Sequence, residues 1–312
     1  MTPLPVSFDP RDRRVLVTGG QGFIGRYVVD MLRASGAHIV SPARDTVDLR
    51  DAAGVLMCME QAKPEGIVHL AGVVGGRTWL AAHGALIKSD SDQITDAVVS
   101  AAQQVGVERL LGVGSTAAYG PSASRPLQED SLFKHACPEG IAGYARSKRR
   151  LGHALAEVKG VQCAYVLPCN VYGPGQRTDT QRANVVGALT RRFVQAAREG
   201  ARCVECFGAN ASREFLHVRD CAAGIVDALM RLDTPQPVNL GSGESISIET
   251  VTRHIARAAH YDGELAWLDP DAPKDELCSD ATRARNVLAW RPEEALATGL
   301  AETVQWYQER TA

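Results

Sequence analysis

The sequence predicts an α/β protein, with a Rossmann-type doubly wound parallel sheet and a smaller C-terminal α/β substrate lobe. Short apolar runs alternate with helical patterns through the first half of the chain, which is typical of βαβ units. These runs are nearly continuous in Val, Leu and Ile, as expected for parallel strands buried on both faces. A glycine-rich turn joins the first such run to the first helical pattern, as in nucleotide-binding βαβ units.

The elements of the first half follow from apolar periodicity. Residues 14–18 (RVLVT) lead into Gly19 and are predicted as a buried strand, and residues 22–34 carry apolar side chains at helical spacing. The other strands of this half are predicted at 38–41, 66–70, 109–113 and 162–167. Its other helices are predicted near 52–62, 87–105 and 143–158.

The alternation of strands and helices stops after Asn170. Polar loops are predicted at 173–182 and 208–212, strands at 202–206, 215–218 and 238–240, and helices near 184–197, 247–260 and 292–308. No repeat or low-complexity linker separates two halves, so we predict two interleaved parts. These are a Rossmann domain at 10–172 and 214–242, and a smaller lobe at 173–213 and 243–312.

The charge balance excludes several classes of partner. The 312-residue chain has 34 Lys and Arg against 36 Asp and Glu, a net charge of −2. Such a chain lacks the basic surface that binds nucleic acid, and nothing draws it to an anionic membrane. No apolar stretch is long enough to span a bilayer, and MTPLPVSFDPRDRR at the start lacks the apolar run of a signal peptide. We therefore expect a cytoplasmic protein with a small-molecule substrate.

The eight cysteines indicate neither a disulfide framework nor a metal site. Only Cys203 and Cys206 form a Cys-x-x-Cys pair, and a zinc site needs two further ligands at similar spacing. Residues i and i+3 of a strand also point to opposite faces. We therefore expect reduced thiols and no bound metal.

The turn TGGQGFIG at 18–25 places Gly19, Gly22 and Gly25 between the first strand and the first helix. Glycine lets the chain turn sharply there and lets its backbone approach a pyrophosphate closely. The helix N-terminus then offers free N–H groups and a partial positive charge to the phosphates. The turn therefore predicts a dinucleotide-binding site in the Rossmann domain.

The end of the second strand indicates which dinucleotide binds. An NAD site usually has an Asp or Glu there, which holds the ribose 2′-hydroxyl. Residues 38–44 read HIVSPAR, without an acid at the strand end, and Arg44 could bind a 2′-phosphate through charge-assisted hydrogen bonds. NADP is therefore favoured. NAD is the alternative, because Asp45 leaves open that Arg44 is only a solvated loop residue.

Tyr144 and Lys148 stand four residues apart on a predicted helix, so their side chains share one face. Ser115 follows the fourth strand and could hydrogen-bond the same substrate oxygen. The pKa of a free tyrosine is about 10. We expect the neighbouring ammonium and a positive nicotinamide ring to lower it, so that Tyr144 exchanges a proton with an alcohol or sugar oxygen near neutral pH.

Several motifs resemble the extended short-chain dehydrogenases/reductases that act on nucleotide sugars: TGGQGFIG at 18–25, HLAG at 69–72, GSTAAYG at 114–120, YARSK at 144–148, NVYGPG at 170–175 and REFLHVRD at 213–220. Within this superfamily the chain is most similar to the GDP-L-fucose synthases, which are GDP-4-keto-6-deoxymannose epimerase/reductases. That closer resemblance lies in GVVGG at 72–76, PCNVYGP at 168–174 and ALTRRF at 188–193. It implies that the smaller lobe binds a GDP-linked sugar.

The resemblance also implies roles for single residues. Ser115, Tyr144 and Lys148 would form a catalytic triad. Substrate contacts are implied for Ser115, Thr116, Asn170, Arg192 and Arg213, with the two arginines at the diphosphate. Cofactor contacts are implied for Gly19, Gly22, Phe23, Ile24, Gly25, Arg44, Asp48, Leu49, Leu70, Ala71, Gly72 and Lys148.

Two residues of the GDP-L-fucose synthase pattern are missing. That family epimerises C3 and C5 of the sugar with a cysteine two residues beyond the catalytic serine and a histidine after the Tyr-Gly-Pro motif. At these two positions this chain has Ala117 and Asn184. Neither side chain exchanges a proton at neutral pH. Ala117 also replaces the Glu of sugar 4,6-dehydratases. We therefore expect an NADP(H)-dependent C4 ketoreductase without 3,5-epimerisation, unless another group such as His135 or Cys169 replaces the missing pair.

Two other functions stay open at this point. An NAD-dependent nucleotide-sugar C4 epimerase with tightly bound cofactor needs the same triad and no special residue at 117 or 184. A nucleotide-sensing regulator is the alternative outside the enzymes, although such proteins commonly lose the catalytic Tyr or Lys.

The resemblance further implies a homodimer that pairs the helices near 87–105 and 143–158, through the apolar residues Ile94, Val98, Val99, Leu151 and Leu155.

Overall fold

A six-stranded parallel sheet with helices on both faces forms the centre of the fold. The structure is a computed structural model that describes residues 5–179, 181–269, 271 and 274–311. The strands of these residues are β1 (Arg14–Thr18), β2 (His38–Val40), β3 (Gly66–His69), β4 (Arg109–Val113), β5 (Gln162–Pro168), β6 (Asn170–Tyr172), β7 (Cys203–Cys206), β8 (Ala211–Arg213), β9 (Phe215–His217), β10 (Pro237–Leu240), β11 (Ile246–Ser247), β12 (Glu264–Trp267) and β13 (Asp275–Glu276). The helices are α1 (Phe23–Ala34), α2 (Ala52–Ala62), α3 (Arg77–Ala82), α4 (Gly84–Val105), α5 (Ala142–Glu157), α6 (Val185–Glu199), α7 (Val218–Arg231), α8 (Ile248–Ala258), α9 (Thr282–Leu288) and α10 (Leu296–Thr311).

The strand order in the sheet is β2-β1-β3-β4-β5-β10, and every neighbouring pair is parallel. The chain runs from β1 to β2 and then returns to the other side of β1 as β3. The strand order therefore reverses at β1 and β3, where doubly wound sheets bind their ligands beyond the carboxyl ends of the strands. The register places Thr18 beside His69 at this edge. The predicted fold class is confirmed.

Three larger hydrophobic cores hold the described elements together, and a small fourth one is formed by Trp79, Leu80, Ile87 and Ile141. On one face of the sheet the strands pack against α1 and α7, and on the other face they pack against α2, α4 and α5. A third core lies between α6, α8 and α10, where Phe193, Val251 and Leu300 are fully buried. The third core belongs to the part of the chain where the alternation of strands and helices stops.

The predicted strands and helices of the first half are confirmed to within a few residues at each end. The helix α7 was not predicted, because it begins at Val218 directly after the strand that ends at His217, without turn residues between them. The predicted strand 215–218 is therefore one residue too long. The predicted loop 208–212 is wrong at its end, since Ala211–Arg213 is a strand that pairs with the short strands β11 and β13.

The division into a Rossmann domain and a smaller lobe stays a prediction. The strand β10 joins the central sheet, while α6 and α8 share the third core. Three residues of the predicted lobe nevertheless pack into a core of the sheet: Ala284, Leu288 and Trp290. The Trp290 Nε1 group donates to the Asp220 carbonyl oxygen at 3.0 Å, so the segment after α9 is tied to α7.

The helices α4 and α5 pack against each other within one chain. The apolar residues that were expected between two subunits point instead into the chain's own core. Val98, Val99, Leu151 and Leu155 are at most 8% exposed and belong to the core under these two helices, and Ile94 packs against it. The four buried side chains cannot fill a subunit interface because they are already covered, whereas Ile94 is only partly buried. The homodimer itself stays a prediction.

In the described part of the chain, no helix combines the length and apolar character needed to cross a lipid bilayer. Within the same ranges, no three His, Cys, Asp or Glu side chains are grouped so that they could hold a metal ion. In β7, Cys203 is exposed and Cys206 is buried, as expected for residues i and i+3 of a strand.

Candidate active site

The glycine turn between β1 and α1 leaves its backbone uncovered where the strand order reverses. Gly19 has φ of +72°, in the region that favours glycine. A Cβ on Gly19 would lie 3.0 Å from the Ala71 nitrogen, and one on Gly25 would lie 2.1 Å from the Gly19 oxygen. Gly22 precedes the helix, which starts at Phe23. A side chain at position 19 or 25 would collide with neighbouring backbone, so the turn requires glycine there, as expected of a pyrophosphate-binding turn.

The segment after β3 lies against this turn. The Ala71 N–H donates to Thr18 Oγ1 at 3.3 Å, and Leu70 packs against a core of the sheet. A Cβ on Gly72 would lie 3.7 Å from Lys148 Nζ, so this segment also approaches the predicted triad. The structure thus brings together the predicted cofactor residues of β1, β3 and α5.

Phe23 and Ile24, at the start of α1, pack against a core of the sheet, and the other predicted cofactor residues follow β2. Arg44 is exposed, and Leu49 packs against a core of the sheet. Hydrogen bonds from Arg50 hold the Asp48 carboxylate, with Nη2 and Oδ2 2.8 Å apart, and lower the pKa of Asp48 to about 2. The Arg50 Nη1 group also lies 3.3 Å from an oxygen of Asp90. A cofactor contact by the Asp48 side chain would therefore compete with Arg50.

Ser115, Tyr144 and Lys148 come together beyond the carboxyl end of β4. The Lys148 Nζ group donates to the Val113 carbonyl oxygen at 3.0 Å and lies 5.7 Å from the centre of the Tyr144 ring. The Ser115 side chain lies close enough to Tyr144 to act on the pKa of its hydroxyl. The Tyr165 hydroxyl donates to the Lys148 carbonyl oxygen at 2.7 Å and so fastens α5 to β5.

Burial favours the neutral form of both titratable groups in the triad. It raises the pKa of Tyr144, and Ser115 only partly opposes this effect. It lowers the pKa of Lys148 to about 8. Desolvation is the larger effect on Tyr144 in this structure, and the expectation that the ammonium and a positive nicotinamide ring together lower its pKa stays a prediction.

His69 is a neighbour of the triad that sequence analysis did not single out. Its imidazole is buried, and burial lowers its pKa to about 3, with the charge on Lys148 acting in the same direction. The His69 Nδ1 atom lies 2.7 Å from Thr18 Oγ1. The neutral ring therefore joins the ends of β1 and β3 beneath the site and is not a proton donor to a substrate at neutral pH.

A cavity of about 590 Å³ lies beside the triad, which is a size that suits a small-molecule ligand. Ser115 and Tyr144 are in its wall, and so are Thr116, Asn170 and Arg213 among the predicted substrate contacts. Arg192 is not among the described residues that line the cavity. Its Nη1 group donates to the Glu205 carbonyl oxygen at 2.7 Å.

Ala117 and Asn184 both line the cavity. Asn184 is the N-cap of α6, where its Oδ1 accepts from the Gly187 N–H at 3.0 Å. Its Nδ2 donates to the Val171 carbonyl oxygen at 3.0 Å. Both ends of this amide therefore hold α6 in place. The wall at these two positions carries no group that ionises.

Of the two residues considered as replacements for the missing pair, Cys169 lines the cavity. Burial raises the pKa of its thiol well above the usual value, and the charge of Glu214 adds to that effect. A thiol that stays protonated is not a base at neutral pH. His135 is not among the described residues in the cavity wall, and its carbonyl oxygen accepts from Arg149 Nη1 at 2.6 Å.

Four charged residues of the cavity wall were not predicted: Arg77, Arg125, Glu214 and Asp275. The buried Glu214 carboxylate accepts from the Gly243 N–H at 2.7 Å and from the Ser279 N–H at 3.0 Å, and burial raises the pKa of Glu214. Glu214 stands in the REFLHVRD motif, which offered a signal for it. Arg125 and Asp275 lie in no motif and reach the cavity only through the tertiary fold.

Comparison with known proteins identifies the family. Residues 15–241 match the NAD dependent epimerase/dehydratase family. The chain belongs to this family. It is 29% identical to GDP-L-fucose synthase 1 of Arabidopsis thaliana over 314 residues, which cover 96% of this chain and 95% of that protein. The similarity to the extended short-chain dehydrogenases/reductases is thereby confirmed, and so is the prediction of an NAD(P)-dependent enzyme.

Two solved structures share the fold. The GDP-6-OMe-4-keto-L-xylo-heptose reductase from C. jejuni superposes with a TM-score of 0.88 at 21% identity, covering 96% of this chain and 98% of that one. The gdp-l-fucose synthetase from Naegleria fowleri bound to NADP superposes with a TM-score of 0.86 at 22% identity, covering 98% of each chain.

Proposed function

We propose that this protein is an NADP(H)-dependent reductase that acts at C4 of a GDP-linked 4-keto sugar and does not epimerise C3 or C5. One observation supports this proposal most. Ser115 and Tyr144 line the same cavity as Ala117 and Asn184. The cavity therefore has a proton donor for a carbonyl oxygen, but it has no acid or base at the two positions that serve epimerisation in the GDP-L-fucose synthases.

The choice of cofactor rests on the residues after β2 and on a similar protein. No acid stands at the end of β2, and Arg44 is exposed shortly after it, where it is free to bind a 2′-phosphate. A similar synthetase has been solved with NADP bound. When bound, the nicotinamide supplies the hydride that reduces the C4 carbonyl.

Tyr144 is the proton donor in this proposal. Its raised pKa keeps the hydroxyl protonated near neutral pH, so it can protonate the C4 oxygen as the carbonyl becomes a hydroxyl. Ser115, which lines the cavity with Tyr144, orients the same oxygen. Lys148 is anchored at the Val113 carbonyl beside Gly72 and holds the ribose next to the nicotinamide.

The second candidate is an NAD-dependent C4 epimerase with tightly bound cofactor. It uses the same triad and needs no ionising group at positions 117 and 184. Asp45, an exposed acid next to Arg44, favours this candidate, because NAD sites use an acid after the second strand to hold the ribose 2′-hydroxyl. The two candidates differ in whether NADPH is consumed as product forms.

A solvent-exchange experiment tests the proposal. GDP-4-keto-6-deoxymannose is incubated with the enzyme and NADPH in heavy water, and the product is analysed by mass spectrometry and NMR. We expect reduction at C4 with one NADPH consumed per product. We expect no more deuterium at C3 or C5 than in a control without enzyme, because neither Ala117 nor Asn184 has a side chain that exchanges a proton. A GDP-L-fucose synthase in the same assay is the positive control.

The outcomes separate the candidates. Deuterium at C3 or C5 at the rate of turnover would contradict the proposal and would indicate a complete epimerase/reductase. Interconversion of a GDP-linked sugar that carries a C4 hydroxyl with its C4 epimer, without NADPH consumption and by enzyme that copurifies with NAD, would favour the second candidate. The homodimer and the cytoplasmic location stay predictions alongside the proposed activity.

A further inference from the structure

Arg77 lines the cavity, and its guanidinium group has no hydrogen-bond or ion-pair partner among the described residues. The other arginines of the described wall are engaged. Arg213 forms an ion pair with Asp275, and the Arg125 Nε group donates to the Glu276 carbonyl oxygen at 3.2 Å. The Arg77 side chain is exposed, so its N–H donors are open to a ligand in the cavity.

Local stability does not explain an arginine at this position. Arg77 is the first residue of α3 and directly follows the N-cap Gly76. The first turn of a helix has uncovered N–H groups and a partial positive charge, so a cation there is unfavourable. The first turn of α3 has no acidic residue that would compensate. The guanidinium group therefore does not stabilise its own helix.

The Arg77 guanidinium lies at the catalytic end of the cavity. A Cβ on Gly140 would lie 3.9 Å from Arg77 Nη2, and Gly140 precedes Tyr144 by four residues, in the short helical turn that leads into α5. Leu80, which follows Arg77 by nearly one turn of α3, belongs with Ile141 to the small core against which Tyr144 packs. The donors of Arg77 are therefore close to the part of the wall that would hold the reacting carbonyl.

The proposed substrate has a variable group next to that carbonyl. In a GDP-linked 4-keto sugar the diphosphate is on C1 and the reacting C4 is on the opposite side of the ring. The groups beside C4 are therefore those on C3 and C5. C6, which is attached to C5, is a methyl group in 6-deoxy sugars and carries oxygen in other sugars.

The guanidinium group favours an alcohol oxygen on C6. A methyl group would cover the N–H donors of Arg77 without offering an acceptor, which costs free energy. A C6 carboxylate would be β to the C4 carbonyl, and β-keto acids readily lose carbon dioxide. A hydroxyl oxygen accepts hydrogen bonds from a guanidinium and is chemically stable beside a 4-keto group.

We propose that Arg77 donates hydrogen bonds to a hydroxyl oxygen on C6, so that the substrate is a GDP-linked 4-keto sugar that keeps its C6 oxygen and is not a 6-deoxy sugar. The inference rests on the proposed function and narrows its substrate class. Arg77 is thereby a specificity-determining residue. A 6-deoxy compound remains a weaker ligand, because it retains the nucleotide and C4.

Calorimetric titration with GDP-mannose and GDP-6-deoxymannose tests this inference, because the two ligands differ only in the oxygen on C6. We expect the wild-type protein to bind GDP-mannose about 10-fold more tightly, the low end for a hydrogen bond to a charged group, since Arg77 is exposed. Arg77→Leu should bind the two sugars equally. Arg77→Lys should retain part of the preference, because the ammonium still donates.

Two controls accompany these titrations. GDP alone should bind to the wild type and to Arg77→Leu with equal affinity, and NADPH binding shows that the fold of each variant is intact. The matched control variant is Arg253→Ala, which removes an exposed arginine paired with Glu249 on α8 and should keep the full preference for GDP-mannose.

Equal binding of the two sugars by the wild-type protein, with normal binding of GDP, would overturn the inference and leave the proposed function standing. A preference that persists in Arg77→Leu would also overturn it, because another group would then recognise the C6 oxygen. Weaker binding of GDP itself by Arg77→Leu would show that Arg77 acts on the nucleotide and not on C6. If the wild type binds neither GDP nor either sugar, the proposed substrate class fails and this inference fails with it.

Discussion

Replacing Asn184 by alanine is expected to destabilise the protein through the loss of two defined hydrogen bonds. The side chain caps α6 at the Gly187 N–H and donates to the Val171 carbonyl oxygen, each at 3.0 Å. Loss of an N-cap costs about 1 kcal/mol. Loss of the part-buried bond to Val171 costs about 1 kcal/mol more. We therefore expect the free energy of unfolding to fall by about 2 kcal/mol, or roughly 4 °C in melting temperature.

Urea unfolding followed by circular dichroism measures this change. Asn184→Ser is the matched control, because its hydroxyl can cap α6 while the donor to Val171 is lost, so we expect about half of the effect, near 1 kcal/mol. Asn184→His should resemble the alanine variant, since histidine is a poor N-cap. An alanine variant within about 0.5 kcal/mol of the wild type, the usual range of surface substitutions, would refute the structural role of this amide.

Two further predictions concern the catalytic and cofactor residues. Tyr144→Phe should lower kcat by roughly 10²–10⁴ with little change in binding of the nucleotide sugar, as measured by NADPH oxidation and by titration with GDP, and near wild-type turnover would exclude Tyr144 as the acid. Arg44→Ala should weaken NADP binding by about 10- to 100-fold and leave NAD binding nearly unchanged in fluorescence titrations. An equal loss for both cofactors, or none for either, would show that Arg44 does not discriminate and would favour the NAD-dependent epimerase.

The βαβ part of the fold could be predicted because its signals are local. A buried parallel strand is a short apolar run, and its helix has apolar residues at a fixed spacing, so Arg14–Thr18 and Arg109–Val113 were predicted with the bounds that the structure has. The helix α7 was missed because it lacks such a local signal. It follows β9 directly, without turn residues, so no boundary signal marks its start.

The candidate site likewise combines features that the sequence predicts with features that it does not. Tyr144 and Lys148 are one helical turn apart, so their common face could be inferred from spacing alone, and Ser115 follows a strand whose end was predicted. The raised pKa of Tyr144 could not be inferred, because desolvation depends on every segment that covers the ring. The same holds for the pairing of Arg213 with Asp275, which requires β13 to lie beside β8.

By itself, the sequence determined the fold class, the glycine turn at the end of β1 and the composition of the triad, because each depends on residues close together in the chain. The tertiary structure alone decided which charged side chains share the cavity. In the folded chain Arg192 lies outside the described cavity wall, whereas Arg125 and Asp275 lie in it. Both ends of the Asn184 amide form hydrogen bonds with the backbone. Long-range packing sets these contacts, and no short spacing in a sequence records which distant segments the folded chain places side by side.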